Sequence, residues 1–118
     1  MDLQPGAILS VVFPEHDPRG HEQEGIRPAL VLAVPVHPRF PVLIVAPFTT
    51  DRGVPWGAAG GPLYPKFRHG LAGLTADSIL LLDQVRSVDA GRVKRYLGTI
   101  NAGQLSKVKR ALVEVFEL

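Results

Sequence analysis

Apolar runs bounded by proline or glycine divide the chain into short segments. Ala7 to Phe13, with Ile8, Val11, Val12 and Phe13, has the β-branched and aromatic content of a strand, and Pro14 ends it. Pro14 to Gly25 is polar and carries Pro18, Gly20 and Gly25, which predicts a loop. Loops of that length in small domains are often functional. Ile26 to Val34 reads as a second strand and Pro35 to Pro41 as a proline-punctuated turn. Val42 to Thr49 reads as a third strand, apolar enough to be central and buried. Thr50 to Gly73 is rich in glycine and proline around Trp56, Tyr64 and Phe67; it predicts irregular structure with a short edge strand near Leu63 and Tyr64.

Ser78 to Asp83 reads as another apolar strand and Val93 to Ile100 as the last. Asn101 then has the character of a helix N-cap, with Gln104 placed to complete a capping box. Leu105, Val108, Leu112 and Val115 recur at three- and four-residue spacing, so one helix face packs on the sheet. Five or six short strands, one long loop and a closing helix predict a mainly β (α+β) fold. The sheet should be strongly bent, a partly open barrel that limits bare edges. A chain of 118 residues predicts a single domain over 1–118.

Composition narrows the classes. Hydrophobic residues at 46% and charged residues at 20% are globular proportions and exclude wholesale disorder. The absence of cysteine excludes disulfides, thiolate metal sites and cysteine nucleophiles. Apolar stretches such as Ile79 to Leu82 are far too short to span a bilayer, so no membrane contact is expected. Met1 to Gly6 lacks the charged-then-apolar pattern of a signal peptide, and the expected location is cytoplasmic. The net charge is +2, but it is uneven: residues 1–24 set Arg19 against five carboxylates, whereas residues 25–70 set five basic groups against Asp51. The isoelectric point near 9.3 is compatible with a polyanionic partner and with a plain basic surface alike.

Candidate chemistry comes from pairing the second and third strands. With Pro38 at the centre of the turn, paired positions sum to 76, which sets Arg27 opposite Thr49 and Pro35 opposite Pro41. Directly opposed side chains share a face about 5 Å apart at Cβ. A slip by one residue would substitute Thr50. Arg27 precedes Pro28, which favours extended backbone, and it lies where the long loop with His21, Glu22 and Gln23 ends. A guanidinium binds phosphate oxygens through a planar fork and keeps its charge. RNA carries its own nucleophile, the ribose 2′-hydroxyl, so its cleavage needs a proton acceptor, a proton donor and stabilisation of phosphate charge, and no metal in principle. Arg27, Thr49, His21 and a carboxylate such as Asp83, which is followed by Gln84 and Arg86, supply those parts.

Gly20 to Leu32, with its Gly25-Ile26-Arg27-Pro28 core, resembles the signature of the MazF/PemK toxin family. Pro5 to Ile8, Val45 to Thr50, Asp77 to Ile79 and Asp83 to Asp89 resemble further family blocks in the same order, so the resemblance runs from Pro5 to about Val115. The resemblance implies an SH3-like barrel with a C-terminal helix and a homodimer. It implies a toxin that cuts single-stranded RNA, mRNA above all, without metal or cofactor, by 2′-hydroxyl attack through a cyclic phosphate, and that a cognate antitoxin switches off. On it, Arg27 and Thr49 match the catalytic pair. His21, Glu22 and Gln23 border the RNA groove. Asp83 matches a base proposed in one branch, and Gln84 and Arg86 match positions near the RNA; Thr50 and Arg52 are further RNA-binding candidates. That branch has an arginine two residues before its aspartate; Leu81 stands here, which favours the Arg27–Thr49 version. Ala7 replaces a frequent aspartate, and the Gly53 to Gly73 segment is longer than in many members.

Ordinary structural readings stand beside these. His21 reads as an RNA contact more than as a base. Glu22 would repel phosphate and so shapes the loop or bonds Arg27. Arg86 contacts phosphate or pairs with Asp83 or Asp89, and Asp89 caps a turn. Trp56 and Tyr64 stack on bases or cap the barrel, and of the two readings for Trp56 a hydrophobic plug is preferred to a stacking platform. Arg92, Lys94, Lys107, Lys109 and Arg110 read as solvated surface. Two other functions fit a small barrel: a poison of DNA gyrase like the CcdB-type toxins, and a non-catalytic SH3-like binding module. Gyrase inhibition without RNA cleavage would mark the first, and binding without cleavage, unaltered by Arg27→Ala, the second.

Overall fold

Strand alternation in this protein buries both faces of the sheet. The computed structural model describes residues 3–118; Met1 and Asp2, which open the segment read for a signal peptide, lie outside them. The first three strands are β1 (Ala7–Phe13), β2 (Gly25–Ala33) and β3 (Val42–Thr50). Ile8, Leu30, Leu32, Ala46 and Phe48 turn to one core. Ala7, Leu9, Val11, Phe13, Ala29, Val31, Leu43 and Val45 turn to the other. Period-two alternation with apolar residues at both phases produces the nearly continuous apolar runs of the sequence.

The remaining elements are α1 (Pro55–Ala59), β4 (Lys66–Phe67), β5 (Ser78–Leu80), β6 (Arg86–Asp89), β7 (Val93–Thr99) and α2 (Ala102–Val115). The strands run antiparallel in the order β4-β5-β3-β2-β1-β7, with β6 also paired to β3. β3 therefore has three partners and is the centre of the fold, as its apolar run predicts. The sheet is open, with β4 and β7 at its ends. Helix α2 covers the first core through Val108 and Ala111, with Leu105 and Leu112 packed beside them. Its N-terminus carries the expected capping box: Gln104 N–H donates to Asn101 Oδ1 at 2.8 Å, and Asn101 N–H donates to Gln104 Oε1 at 2.8 Å.

Four expectations need correction. The fifth strand ends at Leu80; Leu81 leaves extended geometry and Leu82–Gln84 forms a 3-10 turn. Leu81 and Leu82 are buried from that turn, and apolarity alone cannot distinguish a buried turn from a strand. Asp83 consequently sits on the turn. The edge strand lies at Lys66–Phe67, because Gly61–Leu63 forms another 3-10 turn. β6 and α1 were not expected. The 76 register holds for Ala29–Pro47, Leu30–Ala46 and Val31–Val45, but a bulge then pairs Ala33 with Ile44, so Pro35 does not face Pro41.

The turn at Leu71–Gly73 crosses β7 at backbone contact. A Cβ on Gly73, whose φ is +84°, would strike the Leu97 carbonyl oxygen and lie 2.8 Å from its carbon. A Cβ on Gly98 would lie 2.5 Å from the Ala72 carbonyl carbon. Two glycines, one on each side, permit this crossing. It leads the chain into Leu74, Thr75 and Ala76, which wall the first cavity described below.

Candidate active site

Arg27 and Thr49 stand near the ends of β2 and β3, two residues beyond the last β2–β3 pair, Ala29 and Pro47, and continuing that register would set them opposite each other. Both line a cavity of about 250 Å³, with Thr50, Thr75 and Ser78 among its other walls. Arg27 is half-buried and its Nε donates to the Glu24 carbonyl at 2.8 Å. Among the described residues it enters no ion pair. The guanidinium is thus aimed by the backbone while its charge is left for an anion.

Glu24 shows why the backbone there is held. Its carboxylate accepts the His16 backbone N–H and, from the other side, Arg19 Nε at 2.9 Å. The His16 N–H first, and then Arg19, hold its carboxyl below the ordinary carboxylate range. Arg19 is raised in turn, first by its hydrogen bond to Glu24. The polar loop is therefore clamped at one carboxylate three residues before the arginine.

Thr49 also borders a second cavity, of about 380 Å³, together with His21, Gln23, Trp56, Tyr64, Asp83 and Gln84. Asp83 and Gln84 in turn border a third, about 350 Å³, with His16, Glu22 and Arg86. Shared walls make the three a single groove that runs from Arg27 past Thr49 to Arg86. Gln84 pins the loop to the groove: its Oε1 accepts Gln23 N–H and its Nε2 donates to the His21 carbonyl, each at 3.4 Å. Arg86 adds a bond from Nη1 to the Gln23 carbonyl at 3.2 Å and stands over the Phe13 ring, 5.1 Å from its centroid.

Of the residues singled out from sequence, Arg27, Thr49, Thr50, His21, Glu22, Gln23, Asp83, Gln84 and Arg86 all line this groove. Thr49 is half-buried at the junction of the first two cavities, whereas Thr50 is exposed beside it. Arg52 is exposed beyond β3 and lines none of the three cavities. Glu22 does not bond Arg27; the Glu24 carbonyl does. Arg86 pairs with neither Asp83 nor Asp89 among the described ion pairs, and Asp89 caps the turn at Gly91 as expected.

Trp56 is not a buried plug. It is 44% exposed and meets Tyr64 edge to face, with ring centroids 4.9 Å apart. Tyr64 OH donates to Asp83 Oδ2 at 2.6 Å, and this bond, ahead of desolvation, raises the phenol. Sequence reasoning noted both aromatics but missed the bond from Tyr64 to Asp83, which joins positions nineteen apart through an irregular segment. The only signal was two large aromatics in a stretch otherwise built of turn formers. Among the described residues there is no cluster of three or more metal-ligating side chains.

Residues 4–116 match the family of PemK-like, MazF-like toxins of type II toxin–antitoxin systems. The chain is 32% identical over 94 residues to the endoribonuclease EndoA of Bacillus subtilis, covering 79% of this chain and 78% of that protein. Its fold superposes on MazF from Deinococcus radiodurans with a TM-score of 0.70 at 23% identity, covering 98% and 96% of the two chains. An endoribonuclease from a mycobacterial species, solved with its cognate antitoxin, superposes with a TM-score of 0.67 at 15% identity over 98% and 95%. The sequence relative is an endoribonuclease, which favours the nuclease expectation over the gyrase-poison and binding-module alternatives. With the match extending over nearly the whole chain, the protein belongs to the PemK-like, MazF-like toxins of type II toxin–antitoxin systems and is a toxin endoribonuclease.

Proposed function

We propose that the enzyme cuts single-stranded RNA, with some sequence preference and no required metal, by attack of a ribose 2′-hydroxyl on the adjacent phosphorus. The observation that carries this reading is the cavity shared by Arg27 and Thr49, with the Arg27 charge unpaired. The bond formed is O2′–P and the bond broken is P–O5′, leaving a 2′,3′-cyclic phosphate on one fragment and a 5′-hydroxyl on the other. Charge builds on the non-bridging oxygens in the pentacoordinate state, and a preorganised guanidinium stabilises it most there. Arg27 binds that phosphate and assists protonation of the leaving oxygen. The Thr49 hydroxyl orients the phosphate or the 2′-hydroxyl. The proton leaving the 2′-hydroxyl goes to one of the two secondary titratable candidates on the adjoining wall, His21 or Asp83, and the leaving O5′ takes up a proton in exchange. The linked cavities suit an unpaired strand whose bases are splayed along the groove.

A cognate antitoxin, whose disordered segment folds into the groove and competes with RNA, completes the reading. The mycobacterial relative solved with its own antitoxin supports it. A homodimer acting in the cytoplasm is part of the same proposal; Val36 and Phe40, strongly exposed, offer apolar surface to a second copy. The test is cleavage of a long single-stranded RNA in EDTA by wild type and Arg27→Ala. Discrete cuts with cyclic phosphate ends, lost in the variant, are expected. Cleavage retained by Arg27→Ala, or abolished by EDTA alone, overturns the proposal.

A further inference from the structure

The second cavity holds more than the transfer chemistry needs. One wall is the Trp56–Tyr64 pair, and another is the Asp83 carboxylate. Tyr64 is fixed twice. Its ring lies on Gly60, where any Cβ would strike it, and its hydroxyl donates to Asp83. Trp56, packed against it, keeps much of its surface open to solvent. An indole fixed by one aromatic contact and 44% exposed can stack a flat ring on its open part.

Asp83 is exposed and enters no ion pair among the described residues. An ionised carboxylate offers about four acceptor sites, and Tyr64 occupies one. Gln84, its neighbour, commits its amide oxygen and one of its two amide N–H groups to the loop backbone. The Gln23 side-chain oxygen on the same wall is also without a hydrogen-bond partner, so the Asp83 carboxylate is not the wall's one unspent acceptor. A wall of that kind selects a base by the donors it presents. Guanine alone among the four bases sets two donors side by side on its Watson–Crick edge, N1–H and the N2 amine. Uracil presents one donor between two carbonyls, which a carboxylate repels. The Watson–Crick edge is available in single strands.

We infer that the cavity between Trp56–Tyr64 and Asp83 is a nucleobase pocket selective for an unpaired guanine next to the cleaved phosphate, with Trp56 as stacking platform, Asp83 as the reader of the base edge and Tyr64 as the residue that positions Asp83. This rests on the proposed RNA cleavage, and it assigns Asp83 to recognition and not to proton transfer. Thr49, shared by this cavity and the Arg27 cavity, places the base beside the reacting phosphate.

Trp56 is the protein's single tryptophan, so its fluorescence reads this pocket directly. The probes are 2′-O-methylated hexanucleotides that cannot undergo 2′-hydroxyl attack, alike except for one guanosine, inosine, adenosine or uridine. The guanosine probe is expected to quench Trp56 with a Kd at least about tenfold below that of uridine, inosine falling between, as fits the loss of one hydrogen bond to a charged group. Tyr64→Phe keeps the aromatic contact and should retain quenching with weaker selectivity. Asp83→Asn, which replaces an acceptor with a donor, should erase or reverse the preference. In a randomised RNA pool cut by wild type, guanine should dominate one position beside the scission, and Asp83→Asn should change that position and no other. Equal quenching by all four probes, no quenching, or an unchanged cleavage preference in Asp83→Asn overturns the pocket. Cleavage without base-selective quenching removes the pocket and leaves the nuclease reading standing. Guanosine-selective quenching in a protein that cuts no RNA does the reverse.

Discussion

Gly73 and Gly70 share a turn and almost the same backbone angle, φ +84° and +83°, but not the same surroundings. A Cβ on Gly70 meets nothing within 4 Å, whereas one on Gly73 strikes the backbone of Leu97. Replacing either by alanine imposes left-handed strain of about 1–2 kcal/mol, offset by about 0.4–1 kcal/mol from a stiffer unfolded chain. Gly70→Ala should therefore cost about 0–1.6 kcal/mol. Gly73→Ala adds an overpacking term of about 1–3 kcal/mol, because a strand carbonyl cannot rotate aside as a side chain does. Its net cost should be about 1–4.6 kcal/mol, always about 1–3 kcal/mol above that of Gly70→Ala. At this chain length about 4 °C accompanies each kcal/mol, so thermal unfolding should fall by about 4–18 °C for Gly73→Ala and by about 6 °C or less for Gly70→Ala, with about 4–12 °C between the two.

The same pair separates fold from function. Leu74, Thr75 and Ala76 follow directly and wall the Arg27–Thr49 cavity, so a displaced crossing moves that wall. RNA cleavage measured well below the midpoint should drop for Gly73→Ala and stay near wild type for Gly70→Ala. Gly98→Ala probes the crossing from the strand side without positive-φ strain, and should cost about 1–3 kcal/mol. Calorimetry of the three variants decides the matter. Equal, small losses at Gly73 and Gly70 would refute the claim that close backbone approach fixes the cavity wall.

Other expectations follow from single contacts. Arg27→Lys keeps the charge but loses the fork and the Nε bond to Glu24; kcat on single-stranded RNA should fall about a hundredfold, the usual penalty for removing one transition-state donor, and a fall under about fivefold would count against a positioned guanidinium. Asn101→Ala breaks the capping box of α2 and should lower stability by about 1 kcal/mol, read by denaturant midpoint with unchanged slope. Glu24 is held below its ordinary 4.5, so its contribution is complete above that value and is lost only as pH falls through the lowered folded value. Protection of the His16 amide from hydrogen exchange, corrected for intrinsic rate, should stay constant from neutral pH down to the usual carboxylate range and then decline. A decline that starts near neutrality would contradict the clamp.

What was legible in the sequence followed from local physics. Pro38 and the flanking apolar runs fixed the β2–β3 register through Val31–Val45, because one residue of slip would exchange both buried faces. Asn101 and Gln104 announced α2 because a capping box is four residues of contiguous chemistry. The misplacements arise where burial and not period decides. Leu81 and Leu82 are apolar because a turn drives into the core, and no alternation distinguishes that from a strand. The aromatic wall was hidden for a further reason: Trp56, Tyr64 and Asp83 meet only after two short helical turns and a glycine without a side chain at position 60 bring them together. The arginine–threonine end of the groove is written in paired strands, where sequence spacing sets distance. The end carrying Trp56, Tyr64 and Asp83 is written in irregular backbone, where it does not. On the proposed reading, a fold of this kind can keep one reaction on its strands while the base it prefers changes with the segment between β3 and β4.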